Sequence, residues 1–326
     1  MTKSFAVWAL LAGSCLALAT GIQGRQSPPE GAALSETKGL VLPARRLALV
    51  GDRRYTMHAG IRPLYLFYIR RDNVGSARVW IRQGADGARG WEMIVGSDPK
   101  RAPRRINRWG YFSEEISPAG TALLGVMKLS DEESFEEVKD RLEREGEGGH
   151  FVYKAIRSEV VGDSGKKLVS LVTVDYDLSY REVDLLLPKI PAELRGEVNY
   201  RLPAGARGGY LGTIAEFVKA SVAWHRSPGT APRPDGRRIP YVYDGKPYEM
   251  VLKSSRFRPA ARFKNHTFAN LIEGQFRITN LQTKFKTEFQ LDYGTDGDLS
   301  EIPVHVVFKP RWWLEVELVL DESGTY

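Results

Sequence analysis

The chain has 326 residues, 42% hydrophobic and 27% charged, and its 47 Lys and Arg outnumber 40 Asp and Glu for a net charge of +7. This mixture is too apolar for a disordered chain and too polar for a multi-span membrane protein, and 32 Gly with 18 Pro are too few for a collagen-like or low-complexity polymer. The 14 Tyr, 13 Phe and 7 Trp supply rings for a sizeable core, in a length that suits one large domain or two ordinary ones.

Residues 1–19 read as a signal peptide. Lys3 gives a positive start, Phe5 to Ala19 carries no charge, and Ala17-Leu18-Ala19 is a small-x-small cleavage site. The run stops short of the about 20 apolar residues that a spanning helix needs. The one cysteine, Cys15, closes Leu11-Ala12-Gly13-Ser14-Cys15, which fits a bacterial lipoprotein box less well than plain cleavage after Ala19. Ala12 stands where a larger aliphatic is usual, and residues 16–19 stay apolar. Either route predicts an exported protein, periplasmic or extracellular, whose mature chain folds without disulfides or thiol ligands. In that compartment a basic surface points to an anionic envelope lipid or polysaccharide and to peripheral membrane contact, not to nucleic acid.

Residues 20–46, with Pro28-Pro29 and scattered Gly and Ser, read as a flexible tether. A β-rich N-terminal part follows over 47–226. Leu64 to Ile69 is an aromatic-aliphatic run. Val74–Ile81 and Trp91–Val95 form a hairpin over the turn 84–87, and His150–Val161 with Lys167–Tyr176 form another over 162–165. Two helices are predicted. One is a charged surface helix over 131–145, opened by the capping box Ser130-Asp131-Glu132-Glu133. The other runs over 212–224, with Ile214, Phe217, Val218 and Val222 on one face. Four prolines between Ser227 and Pro240 make 227–240 a loop or linker. The C-terminal part, 241–326, is expected to share the core of 47–226. Its pattern is strict over Phe285, Thr287, Phe289, Leu291 and Tyr293, which alternate with polar residues, and the last strand places Leu314, Val316, Leu318 and Leu320 on one face with Glu315 and Glu317 on the other. The predicted fold is a β-rich α+β class, with long antiparallel strands in a curved sheet or half-barrel and two or three peripheral helices. In architecture this is similar to bacterial envelope proteins whose strands curl into an open half-barrel, such as lipoprotein carriers.

Local chemistry is sparse. Gly162-Asp163-Ser164-Gly165 resembles the nucleophile turn of chymotrypsin-like serine proteases over four residues, but Lys166 and Lys167 replace the next glycine and proline, and His58 lacks the cysteine that usually follows that family's base. It reads as a hairpin turn. Asp292, Asp296 and Asp298 crowd one loop and are weak calcium candidates, since the EF-hand spacing fails at Gly294 and Pro303. The five histidines are dispersed, and no cofactor motif or catalytic set is present. The strongest cluster is Lys100, Arg101, Arg104, Arg105 and Arg108, followed by Trp109. Guanidinium forks there suit phosphate or carboxylate, and the ring suits a sugar face. In Trp312-Trp313 one ring faces outward, so Trp312 joins the candidate binding residues. The expected function is non-enzymatic binding of an anionic or amphipathic envelope component, lipid or glycan, in a sheet concavity rimmed by 100–108. The alternatives are a secreted glycan-acting hydrolase using carboxylates such as Glu92, Glu114 or Glu249, and a structural or assembly protein of the envelope.

Overall fold

The computed structural model describes residues 47–61, 69–128, 151–190, 195–311 and 314–321. The expected signal peptide (1–19), tether (20–46), surface helix (131–145) and Trp312 lie outside the described residues. The N-terminal strands are β1 (Ala48–Ile61), β2 (Ile69–Gln83), β3 (Arg89–Ser97), β4 (Trp109–Ser117), β5 (Gly120–Lys128), β6 (Phe151–Val161), β7 (Ser164–Val174) and β8 (Arg195–Arg201). The C-terminal strands are β9 (Arg207–Gly208), β10 (Arg238–Tyr243), β11 (Lys246–Phe263), β12 (His266–Asn280), β13 (Lys286–Gly294), β14 (Pro303–Arg311) and β15 (Leu314–Leu320).

All fifteen belong to one sheet, in the order β8-β7-β6-β5-β4-β3-β2-β1-β15-β14-β13-β12-β11-β10-β9. Among the described residues every pair is antiparallel except β9–β10. The two halves of the chain meet where β1 pairs with β15, Met57 opposite Leu318. Because successive strands reverse, their connections alternate between two ends. The near end carries β1–β2, β3–β4, β5–β6, β7–β8, β10–β11, β12–β13 and β14–β15, and the far end carries β2–β3, β4–β5, β6–β7, β11–β12 and β13–β14. Right-handed twist accumulated over so many strands curls the sheet. Its edges face each other without a closing ladder, and Lys167 of β7 spans the gap to Asp244 in the β10–β11 turn at 2.7 Å.

Strict alternation gives the sheet two different faces. The inner face wraps around a helix, α2 (Tyr210–Arg226), whose Phe217 meets Phe276 edge-on at 5.9 Å while Val218 and Val222 are buried beside it. The helix expected over 212–224 is therefore central, not peripheral: its apolar face is broad enough to fill the curl. The helical cover that is peripheral is a short one. Residues 178–190, including α1 (Val183–Leu186), lie on the outer face and bury Leu178, Tyr180, Leu186 and Ile190 against Ile94, Tyr111, Val126 and Tyr153. Phe285, expected on the buried face of its strand, instead precedes β13 in the connection from β12 and is 48% exposed.

Candidate functional site

A cavity of about 220 Å³ lies between the inner face and the helix. One wall comes from Ala77 and Val79 of β2, Trp91 and Met93 of β3 and Phe112 of β4, and the facing wall from Leu291, Val306 and Leu318. Tyr210, Ile214 and Val218 of α2 form the roof, one helical face at i, i+4 and i+8. Small side chains at Ala77 and Ala215 leave the space open. An apolar hole of about 150 Å³ already takes benzene, whereas pockets for drug-sized ligands start near about 300 Å³. This cavity therefore suits one hydrocarbon chain or ring rather than a complete phospholipid.

Among the described residues, three charged ones line it: Arg53, Glu114 and Glu301. Arg53 donates from Nη2 to the carbonyl of Asp298 at 3.1 Å, holding the β13–β14 connection that also supplies Glu301, Ile302 and Pro303 to the lining. Glu114 is only 3% exposed. It caps the start of α2: the Leu211 N–H donates to Oε2 at 2.8 Å and the Gly212 N–H to Oε1 at 3.0 Å. The approach depends on glycine. A Cβ on Gly212 would stand 2.7 Å from Glu114 Oε1 and 2.5 Å from Ile116 Cδ1, and Gly209, at φ +86°, would place one 1.9 Å from the carboxyl carbon. Burial pushes the Glu114 pKa up to about 8, outweighing the backbone N–H groups of Gly212, Leu211 and Tyr210 that favour the anion. An acid with its pKa raised to about 8 thus sits in a mostly apolar chamber.

The outer face of β13, β14 and β15 carries a polar cluster that local motifs do not reveal. His305 Nδ1 is 2.8 Å from Asp292 and Nε2 is 3.1 Å from Glu317. Lys264, at the tip of the β11–β12 hairpin, folds over to reach Glu317 at 3.3 Å and Asp72 at 2.8 Å, and Asp72 also meets His58 Nδ1 at 2.8 Å. Phe263 stacks on the His305 ring at 3.9 Å. Burial opposes a charged His305, but its hydrogen bonds to Asp292 and Glu317 prevail and raise its pKa. Burial likewise works against the Glu317 anion, yet His305 and Lys264 bring its pKa down to about 2. The cluster is a largely buried clasp of charged and hydrogen-bonded groups, closed over by the hairpin.

The residues singled out from sequence are placed elsewhere. Lys100, Arg101 and Arg105 are exposed on the β3–β4 connection and Arg108 is half-buried, while the Arg104 side chain lies outside the described set. Of these, Lys100, Arg101, Arg105 and Arg108 do not line the cavity; Ile106 of the same connection packs into the inner core. Trp109 is 2% exposed beneath residues 178–190, stacked on Tyr153 and donating Nε1–H to the Leu178 carbonyl at 2.7 Å. Its ring is core, because the tryptophan points to the covered outer face. Arg101 borders a separate polar hollow with Asp98, Ser76, Tyr180 and Arg181. The calcium candidates are not brought together. Asp292 is fully buried in the His305 clasp, Asp296 and Asp298 are exposed, and no group of three His, Cys, Asp or Glu among the described residues is placed to hold a metal ion. The suggested hydrolytic acids are also separated. Glu92 pairs with Arg82 at 2.6 Å on the outer face, Glu249 pairs with Arg238 at 3.0 Å, and Glu114 points inward. Ser164 is exposed beside the β6–β7 turn, six strands from His58 on β1, in keeping with the turn reading.

No protein-family model matches the chain, and no curated protein matches it. Among solved structures, a beta-barrel-like protein of a domain of unknown function from Brucella abortus is similar at a TM-score of 0.37 and 9% identity, over 86% of this chain and 99% of that one. A candidate lipoprotein from Parabacteroides distasonis is similar at a TM-score of 0.24 and 9% identity, over 83% of this chain and 95% of that one.

Proposed function

We propose that this protein is an exported, non-enzymatic binder that shelters the apolar part of an amphipathic envelope molecule inside its curved sheet. The observation that carries this reading is the cavity of about 220 Å³ walled by aliphatic and aromatic side chains from both halves of the sheet and roofed by α2. Transfer of one short hydrocarbon chain into such a space is favourable by about 25 cal/mol for each Å² of apolar surface removed from water. The charge-free run Phe5–Ala19, read from sequence as an export signal, supports delivery to a compartment where such molecules are handled.

Trp91 lines the cavity and provides the readout. Dodecanoic acid titrated into the chain lacking residues 1–19 should change tryptophan emission saturably, and Trp91→Phe should remove that change. Ala77→Phe fills the cavity from the wall and should abolish binding while circular dichroism stays β-rich. Saturable binding that survives Ala77→Phe in a folded variant sinks the proposal.

A further inference from the structure

The two ends of the curled sheet differ in charge. At the far end the exposed residues in and beside the connections include five acids, Asp86, Asp163, Asp296, Asp298 and Glu301, alongside Arg89 and Arg201. At the near end the pattern reverses in three adjacent places. In the β12–β13 connection, exposed Phe285 is flanked by exposed Lys284 and Lys286. The described part of the β1–β2 pairing ends on Ile61 opposite Ile69, both exposed, and Arg70, which reaches Glu315 at 3.2 Å, and Arg71 follow. Lys309 is exposed near the end of β14, between them, with Glu315 beside it at 3.1 Å.

Register puts these groups at one level. Phe289 stands opposite Phe308, Phe308 opposite Val316, and Val316 opposite Ala59. Phe285 and Ile61 therefore lie within a few residues of the same height, roughly 15 Å apart across the three steps from β13 to β1. The basic β3–β4 connection is set back. Gly75 pairs with Ser97 at its base, and Ile69 is six residues further along β2, roughly 20 Å beyond. That offset is about twice the Debye length of about 8–10 Å, so Lys100, Arg101 and Arg105 add little to a contact made at the tip.

Apolar exposure alone does not choose an end, because Leu49, Val50 and Val161 are exposed at the far end. Charge chooses. An aliphatic or aromatic tip ringed by Lys and Arg matches the headgroup boundary of a negatively charged bilayer, where rings settle at the interface and cations meet phosphate. We infer that the near end, through Ile61, Ile69 and Phe285 with Arg70, Lys284 and Lys286 around them, docks on an anionic lipid bilayer. This inference does not depend on the cavity being occupied.

Flotation of the chain lacking residues 1–19 with vesicles tests it. Vesicles of equal parts phosphatidylglycerol and phosphatidylcholine should carry the protein up, phosphatidylcholine alone should not, and raised salt should release it. Lys284→Gln with Lys286→Gln should weaken binding about thirtyfold, from the per-cation contribution near such a surface. Phe285→Ser should weaken it about tenfold. The pair Arg89→Gln and Arg201→Gln removes the same charge from exposed far-end positions and should leave binding unchanged. Three outcomes overturn the inference: absence of binding by the unsubstituted chain, equal binding to neutral vesicles, or equal loss from the far-end pair.

Discussion

Glu114 and Glu317 belong to the same sheet, both largely withdrawn from water, and their acidities move in opposite directions. Glu114 faces the inner cavity among aliphatic and aromatic groups, with only backbone N–H groups for partners, and its pKa climbs to about 8. Glu317 is on the outer face between the His305 ring and the Lys264 ammonium, and its pKa falls to about 2. Burial raises both. What differs is whether a full positive charge stands within hydrogen-bond reach, which a helix start with its partial charge does not replace. The inner face thus encloses a mostly apolar cavity beside a weak acid, and the outer face holds a hairpin down with ions.

The largest test of this contrast is the alkaline limb of stability. The folded pKa of Glu114 lies above its unfolded value, so its contribution is complete below pH 4.5 and disappears as pH rises toward 8. The loss amounts to at most about 5 kcal/mol, since each tenfold weakening of an acid on folding corresponds to about 1.4 kcal/mol. Denaturant melts at several pH values should show Glu114→Gln lacking this part of the decline; parallel curves for the two proteins would remove the inner-face account.

Removing one partner of the outer clasp comes next. Asp292→Ala leaves His305 and Arg258 facing a buried void in place of a carboxylate, and should cost about 3–5 kcal/mol in urea unfolding. A change below about 1 kcal/mol, the worth of an exposed pair, would show the clasp to be solvated. The acid limb sharpens the comparison from the other side. Glu317 has a lowered pKa, so its contribution is present above pH 4.5 and is lost as pH falls toward 2, of the order of 3 kcal/mol. Glu317→Gln should flatten that limb and leave the Glu114 limb intact. His305, raised instead, contributes below pH 6.5 and fades above it. The smallest effect belongs to Gly212→Ala, which crowds Ile116 and the Glu114 carboxylate and should cost about 1–3 kcal/mol by thermal melting.

Much of the sheet is legible in the chain because a strand writes its burial at period two. Phe289, Leu291 and Tyr293 are buried as their alternation requires, and Val316 and Leu320 face the core while Glu317 faces out. Residues 212–224 likewise announce a helix through Phe217, Val218 and Val222. Period alone does not say what that helix touches, so a helix in the middle of the curl reads the same as one on the surface. Nor does it say which face of β4 looks inward, so Trp109 resembles a binding ring while Glu114 is only one acid among many. The cavity and the capped carboxylate draw on strands far apart in sequence, and the Asp292–His305–Glu317 clasp, on three consecutive strands, depends on a cross-strand register and on Lys264 and Asp72 brought in from distant hairpins. Local residue order carries secondary structure because backbone geometry repeats locally. It does not carry the site, because the site exists only where distant side chains share one low-dielectric space.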